Sequence, residues 1–419
     1  MKKNILFVLL SIFIIQGCGS SVSRDSDDNT HDVDIAPSID YKQTRHKEDW
    51  VKNINIKGFT SDSIRDENGN FYFVSTDSPD FRVTKLNSDT DIVWTKKIET
   101  QKENYMGSIT LDNQGNIYLS GESSDSFISK QKDIVAMKLS NDGELLWSSI
   151  RKNTKSALIY KSETDSQGNL YLVGSISTTD ANHVYDAIII KYSTDGEKEW
   201  EKTINTKYYT NAHSIVIDKE DNIYISGVIG RNIFFAEYDT NGKQILYKEF
   251  KNSNDQRDTH MSLGNDGYLY IGGVEIQKDK NGAYLEENTN KLFIQKLNKN
   301  GDEKLYTLFD SSVDDNEYIH AITSDIYGNI YTYGEYYMPN KTDGGGNIGK
   351  LFIKQFDKNG KLLYSKEYNG VANLGGLGIN SNLTIDEDDS IYISDNGYLQ
   401  LQGDERSLGS FILKLSPTP

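Results

Sequence analysis

Apolar residues along the chain fall into short runs bounded by Gly, Asn and Asp, and the runs recur on one plan. A unit of the plan is an apolar strand, an Asp-x-x-Gly-Asn turn and an aliphatic-Tyr-aliphatic strand. One copy runs from Ile109 to Asp112, through Gly115-Asn116, to Ile117-Tyr118-Leu119. The Tyr returns as Tyr72, Tyr118, Tyr171, Tyr224, Tyr270, Tyr331 and Tyr392, at spacings of 46, 53, 53, 46, 61 and 61 residues. After each comes an apolar segment ending in Lys-Leu or its equivalent: Lys85-Leu86, Lys138-Leu139, Lys191-Tyr192, Glu237-Tyr238, Lys296-Leu297, Gln355-Phe356 and Lys414-Leu415. A polar turn such as Asn141-Asp142-Gly143 follows, and then a strand led by Trp94, Trp147, Trp200, Tyr247, Tyr306 or Tyr364. Asn-Gly and Asp-Gly pairs favour two-residue hairpins, whose central residues need positive φ. The pattern predicts four short strands per unit. Many strands are apolar on both faces, as in Ile188-Ile189-Ile190. A sheet covered on both sides reads this way, whereas a sheet with one wet face alternates.

Seven Tyr turns and seven Lys-Leu markers predict an all-β, seven-bladed β-propeller of four-stranded antiparallel blades over residues 46–416. Only six leading aromatics follow the markers, and the sequence given stops at Pro419, after the third strand of unit seven. The stretch Glu48-Asp49-Trp50-Val51-Lys52-Asn53-Ile54 looks like Glu199-Trp200-Glu201-Lys202-Thr203-Ile204. The N-terminal strand is therefore expected to complete the last blade, which leaves no open strand edge at the seam.

The units resemble the seven-bladed β-propeller repeat (SBBP) family of exported bacterial proteins. The resemblance rests on the Asp-x-x-Gly-Asn-x-Tyr turn, here Asp165 to Tyr171, and the Lys-Leu-x-x-x-Gly-x-x-x-Trp segment, here Lys138 to Trp147. It weakens where Asp221 replaces the turn Gly and where Asp389-Ser390 replace Gly-Asn. It implies a scaffold and no catalytic residues.

The first 17 residues read as a leader. Lys2 and Lys3 precede an apolar run from Ile5 to Ile15, 11 residues long and too short to span a bilayer. It ends in Ile15-Gln16-Gly17-Cys18, which resembles the lipobox of bacterial lipoproteins and implies acylation of Cys18, the only cysteine. Residues 18–45 read as a lipidated cysteine and a disordered tether rich in Ser, Asp and Asn. Gly19 after the cysteine leans the expectation toward the outer membrane. The net charge is -17, and such a surface repels nucleic acid and anionic headgroups. Partners are expected to be a protein or a glycan at the cell envelope, with membrane attachment through the N-terminal lipid.

Loop length varies mostly between the second and third strands, at 122–132, 175–185, 275–290, 335–349 and 396–409, all on one face. Insertions confined to one face of a repeat array often mark the binding face. His183, Tyr185, Tyr284, Tyr336, Tyr337 and Tyr398 are the candidate binding residues there. His213 and His320 stand five residues before Asp218 and Asp325, and His260 five before Asn265. This spacing places three imidazoles in one column near the channel mouth, where they would hold a divalent ion such as zinc or simply tie strands together. The main functional expectation is a binding or scaffold protein without cofactor. A polysaccharide-active hydrolase or lyase at the channel mouth and a structural surface protein are the alternatives.

Overall fold

The computed structural model describes residues 45–418 except 101, 127–128, 130, 153–154, 178–184, 205–207, 253, 278–290, 310–315, 339–347, 373–380 and 400–409. The described residues form 28 strands, arranged as seven antiparallel blades of four. Strands are lettered A to D along each blade. The blades occupy 59–98, 103–151, 157–204, 210–250, 255–309 and 316–372, and the seventh takes its first three strands from 382–418. Consecutive A strands lie side by side around a closed ring, so A is the innermost strand and lines the channel.

Strand D of blade seven is Arg45–Ile54, as the count of aromatics predicts. It pairs with Ser410–Thr418, from Arg45 opposite Thr418 to Ile54 opposite Ser410, with one bulge between Glu48 and Trp50. Lys366 donates to Glu48 at 2.8 Å and fixes the strand to blade six. Lys52 donates to the Thr90 carbonyl of blade one at 2.8 Å. Blades six and seven are also joined where Gly370, Val371 and Ala372 pair with Leu399, Tyr398 and Gly397.

The core is not one mass but a ring of layers, each between two blades. Tyr171, Val173 and Ile189 of blade three pack on Ile215, Ile225 and Phe234 of blade four. Phe71 and Phe73 of blade one meet Tyr392 and Ile412 of blade seven, with Trp50 against them. Covering both faces of each blade explains why Ile188, Ile189 and Ile190 are all fully buried. Each such side chain contributes about 1.5–3 kcal/mol on burial.

The recurring turn is a hydrogen-bonded lock. In blade three, Asp165 Oδ1 accepts from the Gln167 and Asn169 amides at 3.0 and 2.9 Å. Its Oδ2 accepts from Asn169 Nδ2 at 2.8 Å and from the Tyr171 hydroxyl at 3.0 Å. The turn Gly168 sits at φ 81°, where a side chain would be strained. Lys191, opposite Tyr171 on the next strand, lies over its ring at 5.5 Å. The repeated Asp, Asn, Tyr and Lys are thus one contact set.

Candidate functional site

The A strands carry a repeated β-bulge that shapes the channel mouth. Counted from the buried Tyr of strand B, the extra residue is Ser61, Gly107, Tyr160, His213, Thr259 and His320 in blades one to six. The register therefore corrects the expected column. His213 and His320 occupy equivalent places, but Thr259 takes the third, and its Oγ1 stands 3.4 Å from His213 Nδ1. The turn after strand A of blade five is one residue shorter, so counting back from it shifts the match. His260 belongs to the next column, with Asp62, Ser108, Lys161 and Ser214. That column also stitches blades together: Asp62 accepts from the Ile109 amide, and Ser214 from the Met261 amide.

The channel interior is charged. Lys161 Nζ reaches Asp62 Oδ2 at 3.3 Å, from blade three to blade one. Burial raises the Asp62 pKa against the pull of Lys161. Burial likewise pushes Glu163 up to about 7, opposed by Lys161 and the Thr164 amide. His260 is pushed down to about 3 by burial first, then by repulsion from His320, His213 and Lys161. His213 and His320 are therefore each near His260 although not in its column. Among the described residues no group of three or more His, Cys, Asp or Glu is arranged to hold a metal ion.

Two polar clusters flank the mouth. On the blade six side, His320 Nε2 lies 3.1 Å from Glu335 Oε1, and the Tyr333 hydroxyl donates to Asp395 at 2.8 Å. Burial pushes Asp395 up to about 6, against His320 and Tyr333. Tyr333, Glu335 and Asp395 are buried. This cluster ties blade six to blade seven.

The other cluster is open to solvent. Tyr160 and His213 meet edge to face at 4.9 Å, and Tyr185 and Tyr209 at 5.7 Å. Tyr160 lies near Tyr209, Glu122 and Tyr185, and burial raises its pKa. Glu122 is buried beside Tyr160: it accepts from the Ile159 amide at 2.8 Å, its Oε2 stands 3.9 Å from Lys132 Nζ, and burial pushes it up to about 7. Tyr208 and Tyr209 come from the link between blades three and four and are 53% and 41% exposed. The place of Tyr209 is fixed. The Gly230 amide donates to the Tyr209 carbonyl at 2.7 Å, and Asn211 Nδ2 donates to the Tyr209 hydroxyl at 2.6 Å.

Of the binding residues expected from sequence, Tyr185 falls in this open cluster. His183 and Tyr284 lie outside the described residues, as does Cys18. Tyr336, Tyr337 and Tyr398 fall in strands Ile330–Met338 and Ile391–Leu399, their side chains outside the described set. Sequence reasoning missed Tyr208, Tyr209 and Glu122. The adjacent Tyr pair in an otherwise polar interblade link was the available signal.

The fold and this mouth define the class: a seven-bladed β-propeller with a polar, aromatic-rimmed channel. No family model matches the chain, and no curated protein matches it. Among solved structures, virginiamycin B lyase from Staphylococcus aureus is similar at 14% identity, with 89% of this chain and 99% of that one covered and a TM-score of 0.52. The polysaccharide lyase Uly1 is similar at 11% identity, with 91% and 94% covered and a TM-score of 0.51. At these identities the likeness shows the fold.

Proposed function

We propose that this protein is an exported, lipid-anchored propeller that binds a protein or glycan at the cell envelope through the face carrying its long B–C connections. The observation that supports this best is where length varies. Strands B and C are joined by two residues, 78–79 and 230–231, in blades one and four. In the other five blades the same connection is longer, and antiparallel blades put all of them on one face. Selection for a plain ring gives no reason to confine insertions to one side.

The anchor rests on the lipobox-like Ile15-Gln16-Gly17-Cys18 and the preceding short apolar run. The SBBP-like motifs support an exported scaffold. Arg45 enters opposite Thr418, at the C–D turn face.

The test uses the full chain in envelope membranes. Cys18→Ala should move the protein from the membrane to the soluble fraction. Shortening 339–347 and 400–409 to two residues each should abolish cross-linking to its envelope partner while the melting curve is kept. Retained cross-linking would overturn the reading.

A second reading, a polysaccharide-active enzyme, is favoured by one observation. Glu122, whose pKa burial raises to about 7, lies by Tyr160 near the channel mouth, and a carboxyl beside a phenol is a pairing that acid–base chemistry uses. Turnover on a polysaccharide panel, read as new double bonds or reducing ends and lost in Glu122→Gln, would support it. A zinc-induced thermal shift that His213→Ala removes would support an ion held by His213, His260 and His320.

A further inference from the structure

We infer that the aromatic cluster of Tyr160, Tyr185, Tyr208, Tyr209 and His213 is a binding subsite for an uncharged sugar ring of a neutral polysaccharide. The inference rests on the long-loop face being the binding face, and it names the ligand class and the place.

Four observations converge. First, the aromatics come from separate elements: strand A of blade three, strand C of blade three, the blade three to four link and strand A of blade four. Aromatics with hydrogen-bonding tips present flat apolar area and polar edges together, which matches a pyranose with its C–H faces and equatorial hydroxyls. Second, Tyr208 and Tyr209 keep large exposed areas, and Tyr209 is held by the Gly230 amide and Asn211 while the Tyr208 carbonyl accepts from the Thr210 hydroxyl. A fixed exposed ring loses little conformational freedom when a ligand stacks on it. Third, blade four has the two-residue connection Gly230-Arg231, so its own B–C turn does not rise over the pair. A Cβ at Gly230 would meet Tyr208 at 3.6 Å, an ordinary contact, so Tyr208 lies beside that short turn. Fourth, electrostatics selects the ligand. The chain carries a net charge of -17, and such a surface repels an acidic or sulfated sugar, while the hydroxyls of a neutral sugar can bond with the Tyr hydroxyls and the His213 ring.

The experiment is calorimetric titration of the full chain with soluble neutral polymers: a β-glucan, an α-glucan, a mannan and chitohexaose. Alginate serves as the anionic control. Binding to at least one neutral polymer and not to alginate is expected, weakened at least tenfold by Tyr208→Ala and by Tyr209→Ala. Tyr208→Phe should restore most of the affinity, since stacking survives. Leu145→Ser, on the outer strand of blade two, should leave it unchanged. Unaltered melting curves keep the Ala variants interpretable, because both sites are exposed. No neutral polymer bound, or binding undiminished in both Ala variants, overturns the inference. If the envelope cross-link is present while no polymer binds, this inference alone fails. If both are absent, the broader reading fails with it.

Discussion

Asp165 is the clearest example of a residue whose identity follows from geometry. One carboxylate accepts two backbone amides, an Asn side chain and a Tyr hydroxyl, all local and mostly buried. Asp165→Ala strands those donors and should cost about 2–4 kcal/mol in urea unfolding. Asp165→Asn should recover part of this, since only the carbonyl side of the amide accepts. The channel residues set a pH response of two opposed signs. His260 titrates near 3 when folded and 6.5 when unfolded, so the unfolded chain binds more protons between these values. Its stabilising contribution is present above pH 6.5 and is lost as pH falls toward 3. Glu163 titrates near 7 folded against 4.5 unfolded, so its contribution is present below 4.5 and lost as pH rises through 7. Relative to the parent, His260→Gln should gain melting temperature from pH 6.5 to 4, and Glu163→Gln should gain from pH 5 to 8. Parallel melting curves for parent and variants at all pH values would contradict both assignments.

At the level of strands and turns, the leading Trp explains how blades are held at the rim. Trp147 Nε1 of blade two donates to the Thr194 carbonyl in the C–D turn of blade three at 2.8 Å. Trp200 does the same to Thr240 of blade four at 3.0 Å. The turn Gly196 has φ 84°, and a Cβ there would stand 2.7 Å from the Trp147 ring. Gly196→Ala is therefore strained twice, and it should destabilise by about 1–3 kcal/mol. Trp147→Ala should cost about 3 kcal/mol or more, by thermal or denaturant unfolding. Most of this layer was legible in the sequence, because Tyr118, Lys138 and Trp147 recur in the same order in unit after unit, the last two always nine or ten residues apart, and each recurrence has a contact behind it. The mouth was less legible. Its residues sit at bulge positions, where one extra residue shifts the count, and that shift misplaced His260 against His213 and His320. Tyr209 belongs to a link outside the repeat, where periodicity carries no information.

For the molecule as a whole, stability is shared among seven layers and no single centre, so damage to one interface opens a ring rather than emptying a core. Removing 45–54 leaves Ser410–Thr418 with an unpaired edge and uncovers the layer of Phe71, Phe73 and Tyr392. The truncated chain should self-associate relative to the full one in size-exclusion chromatography, since bare edges pair with one another. Neither result depends on what the mouth binds, and the ring was predictable from the count of seven Tyr turns against six following aromatics.

The order of strands in the chain is offset by one from the order of strands in the blades. A permuted polypeptide that began at Phe59 and ended by carrying the Trp50 strand after Thr418 would hold the same contacts, since Arg45 already faces Thr418. Every blade in it would be built from consecutive chain, and nothing covalent would span the junction between the first blade and the last. The parent crosses that junction with the backbone from Ile54 to Phe59. The rearranged form should bind as the parent does yet unfold faster, by opening where the peptide chain no longer bridges the gap.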